Sequence, residues 1–294
     1  MIPSHKIESV QKQMVDQEGR NSKHISPLNT PNASVDEEKC LVSYQLRPKV
    51  KKKLCRLENI PFAVLCISVT QILFHIFASS HVQKCLRFEP KKRIEIWRFV
   101  TYMLVHDDWY HLMLNVVIQC IFAILLEKRQ GHLRVVILYI LGGITGVLGA
   151  SCIHPDLVIG ASAGVYALLI SNIADIVLNF TSVKYKVYRG TSIAVLVIFD
   201  VIYNIVHVCA KKEPVISWEA HFVGGATGLL MGFVIYRCHD KTERMAKFSI
   251  INKSLFWIGL IFFAILFISF VILCVQIKKC TPVNVIHVRY VYFC

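Results

Sequence analysis

The sequence predicts an all-α polytopic membrane protein, and three observations carry that prediction. Hydrophobic residues make up 55% of the 294, charged residues only 18%, and the mean hydropathy is +0.52. The charges are segregated, long uncharged runs alternating with short basic clusters, as in a chain with several transmembrane helices. Apolar runs at roughly 60–80, 111–127, 132–152, 158–180, 191–210, 218–237 and 254–277 meet or approach the ~20 residues that a helix needs to cross a bilayer.

A net charge of +14 invites a nucleic-acid reading. The Lys and Arg residues flank apolar runs, however, so the bilayer explains them and no nucleic-acid partner is assigned. The 11 cysteines are odd in number and scattered, without metal-ligand spacing. Cys66, Cys120, Cys209 and Cys274 lie inside apolar runs and read as small packing residues.

Residues 1–57 are polar, with no sustained apolar period, and are read as a disordered N-terminal region. Arg47, Lys49, Lys51, Lys52, Lys53 and Arg56 precede the first apolar run and should hold the N-terminus in the cytosol. With no signal peptide apparent, that run is read as an uncleaved anchor. The core is assigned to 58–240, a linker to 241–253, the seventh span to 254–277 and a short lumenal or extracellular tail to 278–294.

Seven spans from a cytosolic N-terminus put Lys128, Arg129, Arg134, Lys184, Lys186, Arg189, Arg237, Lys241, Arg244 and Lys247 in cytosolic connections, as positive charge prefers. Residues 81–110 break the rule, because Lys84, Arg87, Lys91, Lys92, Arg93 and Arg98 fall outside. This loop is too apolar and aromatic for a soluble connection. It is expected to lie in the interface, with Trp97, Tyr102, Trp109 and Tyr110 at headgroup depth. Three glycosylation sequons, at Asn32, Asn179 and Asn252, fall on the cytosolic side and should be unused.

Spans two, four and six all begin on the outer side. His111 opens the second, Ser162 lies in the motif Gly160-x-Ser162-x-Gly164 near the start of the fourth, and His221 is near the start of the sixth. Their offsets from the neighbouring polar turns correspond to about 10 Å of depth at 1.5 Å per residue. All three can therefore meet in one layer.

Alone, Gly-x-Ser-x-Gly in a membrane helix is a close-packing motif. Three polar positions on three helices at one depth make a functional site, since ionisable groups within a bilayer are expensive. Ser162 supplies a hydroxyl nucleophile and His221 a base suited to neutral pH. Backbone N–H groups at the helix start can stabilise an oxyanion, with His111 and Asn115, at i and i+4, adding side-chain donors. Gly160 lets the backbone bend before the serine. Gly224, Gly228 and Gly232 form a ridge that brings span six against span four, and Gly142, Gly146 and Gly149 do the same on span three.

The set Trp97-Arg98, His111-x-x-x-Asn115, Gly160-Ala161-Ser162 with Tyr166, and Ala220-His221-x-x-Gly224-x-x-x-Gly228 resembles the rhomboid family of intramembrane serine proteases. The similarity covers about residues 60–240. It is closest to the animal secretory-pathway branch, with a six-helix core plus a seventh helix. The resemblance implies a Ser162–His221 dyad without a third acid, and an oxyanion hole from His111, Asn115 and the Ser162 N–H. It also implies Tyr166 stacked on His221, single-pass membrane proteins cut near the outer end of their helix, and no cofactor or metal. In the animal branch the substrates include tethered EGF-like growth factor precursors released for receptor signalling. A non-proteolytic rhomboid-like protein that binds client helices is the alternative.

One departure is Ala163, where relatives carry a second glycine; its methyl is expected beside the oxyanion. Asp175 and Asp200 are read as buried acids, protonated or paired with Asn172, Asn179, Tyr203 or His207, and not as catalytic groups. Asp200→Asn is therefore expected to retain activity. Trp97 and Arg98 are expected to anchor the loop, and His106 to bond within it.

Overall fold

The structure is a computed structural model that describes residues 60–153, 157–209, 217–238 and 245–280. The readings for the N-terminal region 1–57, the sequon at Asn32 and residues 281–294 of the tail lie outside the described residues.

Each apolar run becomes a helix. These are α1 (Phe62–Phe77), α4 (Trp109–Gln130), α5 (His132–Ile153), α6 (Ser162–Leu178), α7 (Lys186–Cys209), α8 (Trp218–Ile235) and α9 (Met245–Cys280). Two short helices, α2 (Ser80–Leu86) and α3 (Arg98–Thr101), lie between α1 and α4. Of the seven, α4, α5, α7, α8 and α9 are long and apolar enough to cross a membrane, while α1 and α6 are shorter apolar helices. The chain is a multi-pass membrane protein.

Two helices are shorter than their runs for local reasons. After α1, Ala78 and Ser79 turn extended, and the Ser79 hydroxyl accepts from the Val82 N–H to start α2. Before α6, Val158 forms an isolated antiparallel bridge with Phe88, so the run from 158 is not helical until Ser162. At the other end of the chain the reading needs correction. The stretch assigned as the linker 241–253 is helical from Met245 onward, continuous with the seventh span, and the helix runs to Cys280. Its apolar residues continue the helical face without a glycine or proline to stop it.

Glycines set the packing. A Cβ at Gly228 of α8 would stand 2.1 Å from the Ala167 carbonyl oxygen of α6, and one at Gly224 would stand 2.4 Å from that of Ala163. Gly232 faces the Ala174 methyl. On α5, Gly142 faces Ala167, Gly146 faces Ala163 and Ala220, and Gly149 faces Val223. Helices α5, α6 and α8 thus touch backbone to backbone, as the glycine ridges predict. The final helix lies against α8 and α5, with Gly259 against the Leu230 carbonyl, which gives the six-plus-one arrangement.

Buried polar clasps secure the rest. Glu127 accepts from the Ala63 and Val64 N–H groups at 2.7 and 2.9 Å, closing the start of α1 against the end of α4. Asp175, fully buried, accepts from Arg129, Gln130, Asn179 and Arg189. It is therefore a paired carboxylate that joins α4, α6 and α7, satisfied as a buried charge must be.

The connection from α1 to α4 is folded, not a sheet of interfacial side chains. Arg98 is buried, and its guanidinium donates to the Lys84 and Arg87 carbonyls and to Glu95. Trp97, Trp109 and Tyr110 are exposed, and Arg98 is the side chain that ties the backbone of this loop together. Tyr102 is a correction: it is completely buried, and its hydroxyl donates to the Gly143 carbonyl at 2.8 Å. Cys66 and Cys209 also differ from expectation, being exposed on outward helix faces.

Candidate active site

Ser162 is the first residue of α6, and the segment before it is pinned from three sides. The Phe88 and Val158 backbones exchange hydrogen bonds of 3.1 and 3.2 Å. The Gly160 N–H donates to the Tyr102 carbonyl at 3.2 Å, and the Ala161 N–H donates to Nε2 of His106 at 3.3 Å. Gly160 has φ +96°, a conformation that a side chain resists, so glycine is required there. Nδ1 of His106 faces the Leu104 carbonyl at 3.3 Å. A ring that donates from Nδ1 and accepts at Nε2 is neutral. Burial, and then the adjacent His111, hold its pKa down to about 3.

His111 comes from the first turn of α4, which Asp108 caps by accepting from the His111 N–H at 2.6 Å. Its ring lies across Gly160: a Cβ there would stand 2.6 Å from Cε1 and 2.7 Å from Nε2. His111 also meets His106 edge to face, with centroids 5.2 Å apart. Asn115, one turn on, is buried and donates to the His111 carbonyl at 2.9 Å, so one of its two amide hydrogens is engaged.

His221 sits in the first turn of α8, stacked on the ring of Tyr166 from α6. Residues beside the serine and the histidine both lie against Gly146 of α5: a Cβ there would meet the Ala163 methyl at 2.6 Å and the Ala220 carbonyl at 2.9 Å. His111 thus lies over Gly160, two residues before Ser162, and His221 is stacked on Tyr166, four residues after it. Ser162 is half-buried. Among the described residues, no hydrogen bond to its hydroxyl is formed; such bonds often tighten only when substrate binds.

The Ala163 methyl is buried against Gly146 of α5. One reading is corrected here. Asp200 of α7 lies with Oδ2 3.1 Å from Nδ1 of His221, a pairing that the sequence reading does not foresee. The Tyr166 hydroxyl faces the same carboxylate. Sequence reasoning also missed Phe88, Tyr102 and the His106 bridge, none of which belongs to a motif.

Residues 93–238 match the family described as "Rhomboid domain". The chain belongs to the rhomboid family. The matched interval holds every candidate position from Trp97 to Gly228. This rhomboid chain is similar to Rhomboid-related protein 2 of Mus musculus, 34% identical over 60% of this chain and 57% of that protein. It is similar to Rhomboid-related protein 3 of Homo sapiens, 29% identical over 65% of this chain and 48% of that one. Inactive rhomboid-related protein 2 of Caenorhabditis elegans is 27% identical over 57% of this chain and 46% of its own length. The chain spans about half the length of the curated relatives it matches.

Proposed function

We propose that this rhomboid protein is an intramembrane serine endopeptidase that cuts single-pass membrane proteins near the outer end of their transmembrane helix. One observation carries the reading. Ser162 heads a helix on a pinned loop, at the end of the bundle where His221 is locked against Tyr166 and His111 lies on Gly160. This is a nucleophile, a base and a candidate oxyanion donor on three rigid helices.

The Ser162 hydroxyl attacks the scissile carbonyl carbon, its proton passes to Nε2 of His221, and the carbonyl electron pair moves onto oxygen. The Ser162 N–H, aided by the His111 ring and the second amide hydrogen of Asn115, stabilises that oxyanion. Collapse breaks the C–N bond as His221 returns the proton to the leaving amine. Water, activated by the same histidine, then frees the acyl group from the serine.

The positive-inside pattern supports a cytosolic N-terminus and a site facing the lumen or exterior, in a membrane of the secretory pathway. Membrane-tethered EGF-like precursors are the proposed substrates, released for receptor signalling. The test is co-expression of such a precursor with wild type, Ser162→Ala or His221→Ala, measuring the soluble ectodomain. Release by wild type and by neither variant supports the reading; equal release by Ser162→Ala overturns it.

A second reading, a non-proteolytic protein that binds client helices, is favoured by the relative whose name says inactive. It predicts that wild type co-purifies with the precursor but releases none.

A further inference from the structure

His221 has a second partner besides Tyr166. Asp200 stands on α7, and one face of that helix, Ile193, Leu196, Val197, Asp200 and Asn204, turns toward α6 and α8. The opposite face, including Ile198, Phe199, Ile202 and Ile205, is exposed along its whole length. A carboxylate on a helix surrounded by apolar surface is expensive unless it is held by donors. Asp200 is held by Nδ1 of His221 at 3.1 Å, and the Tyr166 hydroxyl faces it. Its side chain keeps 24% exposure and that of His221 11%, so the pair is sheltered but not sealed. The Asn204 amide donates to the Asp200 carbonyl at 2.8 Å and supports the turn that presents it.

The geometry points to Asp200 as a positioning residue that completes a Ser162–His221–Asp200 relay. The inference rests on the proteolytic reading above. A carboxylate accepting from Nδ1–H fixes the tautomer in which Nε2 carries the lone pair, so that Nε2 can take the Ser162 proton. When that proton arrives, the ring becomes an imidazolium, and Asp200 stabilises it without being protonated itself. The proton leaves Nε2 for the departing amine, and Asp200 ends the cycle as a carboxylate. Stacking on Tyr166 restricts the tilt of the imidazole but leaves rotation about its own plane open. The Asp200 bond removes that remaining freedom.

Because Asp200 belongs to α7, the base is also tied to the seating of a helix that docks on α6 along a single stripe. The same helix is clasped at its opposite end by Arg189, which donates to Asp175 and Asn172. Displacement of the Asp200 end of α7 would free His221 to rotate.

The test compares full-length wild type, Asp200→Asn and Asp200→Glu in nanodiscs. The substrate is a reporter tethered by one transmembrane helix that has small residues near its outer end and Gly-Pro beyond. kcat, KM and the pH profile are measured together with the thermal midpoint. The other titratable groups facing His221 are Tyr166 from α6 and His111 from α4, with Glu219 two residues before it on α8; all are unchanged in both variants. Asp200→Asn should lower kcat about tenfold or more, with KM within about twofold. A buried triad aspartate in a soluble protease is worth ~10⁴-fold, and a partly exposed one should fall short of that. The acid limb of kcat/KM should move about one pH unit lower, since the imidazolium loses its anion. Asp200→Glu should recover part of kcat and the wild-type limb.

Wild-type kcat in Asp200→Asn overturns the proposal. So does a loss of activity that follows the thermal midpoint while the acid limb stays in place, because that is a purely structural effect. If wild type itself releases nothing, the proteolytic reading fails. If wild type cleaves through Ser162 and Asp200→Asn cleaves equally well, only the relay fails.

Discussion

The ring of Tyr166 lies parallel to the imidazole of His221, with centroids 4.4 Å apart and planes 8° from parallel, and its hydroxyl faces the carboxylate that the imidazole meets. One side chain therefore restrains the histidine by its face and turns its polar tip toward Asp200.

The two functions can be separated. Tyr166→Phe keeps the stack and removes the hydroxyl; a hydrogen bond has a net worth of about 1 kcal/mol, so activity should fall by no more than about fivefold. Tyr166→Leu removes the stack as well, worth about 0.5–1.5 kcal/mol more, and should fall further. Reporter cleavage at matched expression checks the order; a phenylalanine variant as impaired as the leucine one would assign the whole effect to the hydroxyl.

The helices and the order of the site were legible because hydrophobic length and glycine spacing are local properties of sequence. Ser162, His111 and His221 could be aligned by counting residues from polar turns, since each lies within about two turns of a helix start. Asp200 could not. It sits deep in its run, and its level relative to His221 depends on where α7 begins and how it lies against α6, which packing decides. Its partner was hidden for the same reason, while Asp175 was legible as a paired acid because Asn179 follows it by one helical turn. The pinning of Gly160 and Ala161 by Tyr102 and His106 was also out of reach. Those contacts join segments more than fifty residues apart through a loop with no periodicity.

Glycine position decides which substitutions the bundle tolerates. Gly190 on α7 has nothing within 4 Å of where a Cβ would stand, whereas at Gly228 the Ala167 carbonyl oxygen is 2.1 Å away. Gly190→Ala should stabilise by about 0.5–1 kcal/mol through helix propensity. Gly228→Ala must push α8 off α6 and should destabilise by about 1–3 kcal/mol or more, as overpacking does. Thermal midpoints in nanodiscs should move in opposite directions.

Ala163 offers a test of where a methyl matters. With its Cβ buried against Gly146, Ala163→Gly removes packing and adds backbone freedom. Stability should drop by about 1–2 kcal/mol. Cleavage of substrates differing at the residues flanking the cut should keep the same rank order, with kcat/KM within about threefold per folded molecule. A reordering of preferences would place the methyl in the substrate site instead.

His106 makes stability depend on acidity. The folded protein keeps this imidazole neutral, with its pKa held to about 3 by burial, whereas an unfolded chain protonates histidine near 6.5. Between those values the unfolded state binds a proton that the folded state refuses. The contribution is therefore complete above ~6.5 and lost progressively as pH falls toward about 3, at up to ~1.4 kcal/mol per pH unit. Wild type in nanodiscs should lose thermal midpoint steadily from pH 6.5 to 4.5. His106→Gln, which can keep one polar contact to the Ala161 N–H but cannot take up a proton, should start lower at pH 7.5 and descend less steeply. Parallel curves for the two proteins would mean that another group governs the acid sensitivity, and that His106 is not held neutral by the loop it bridges.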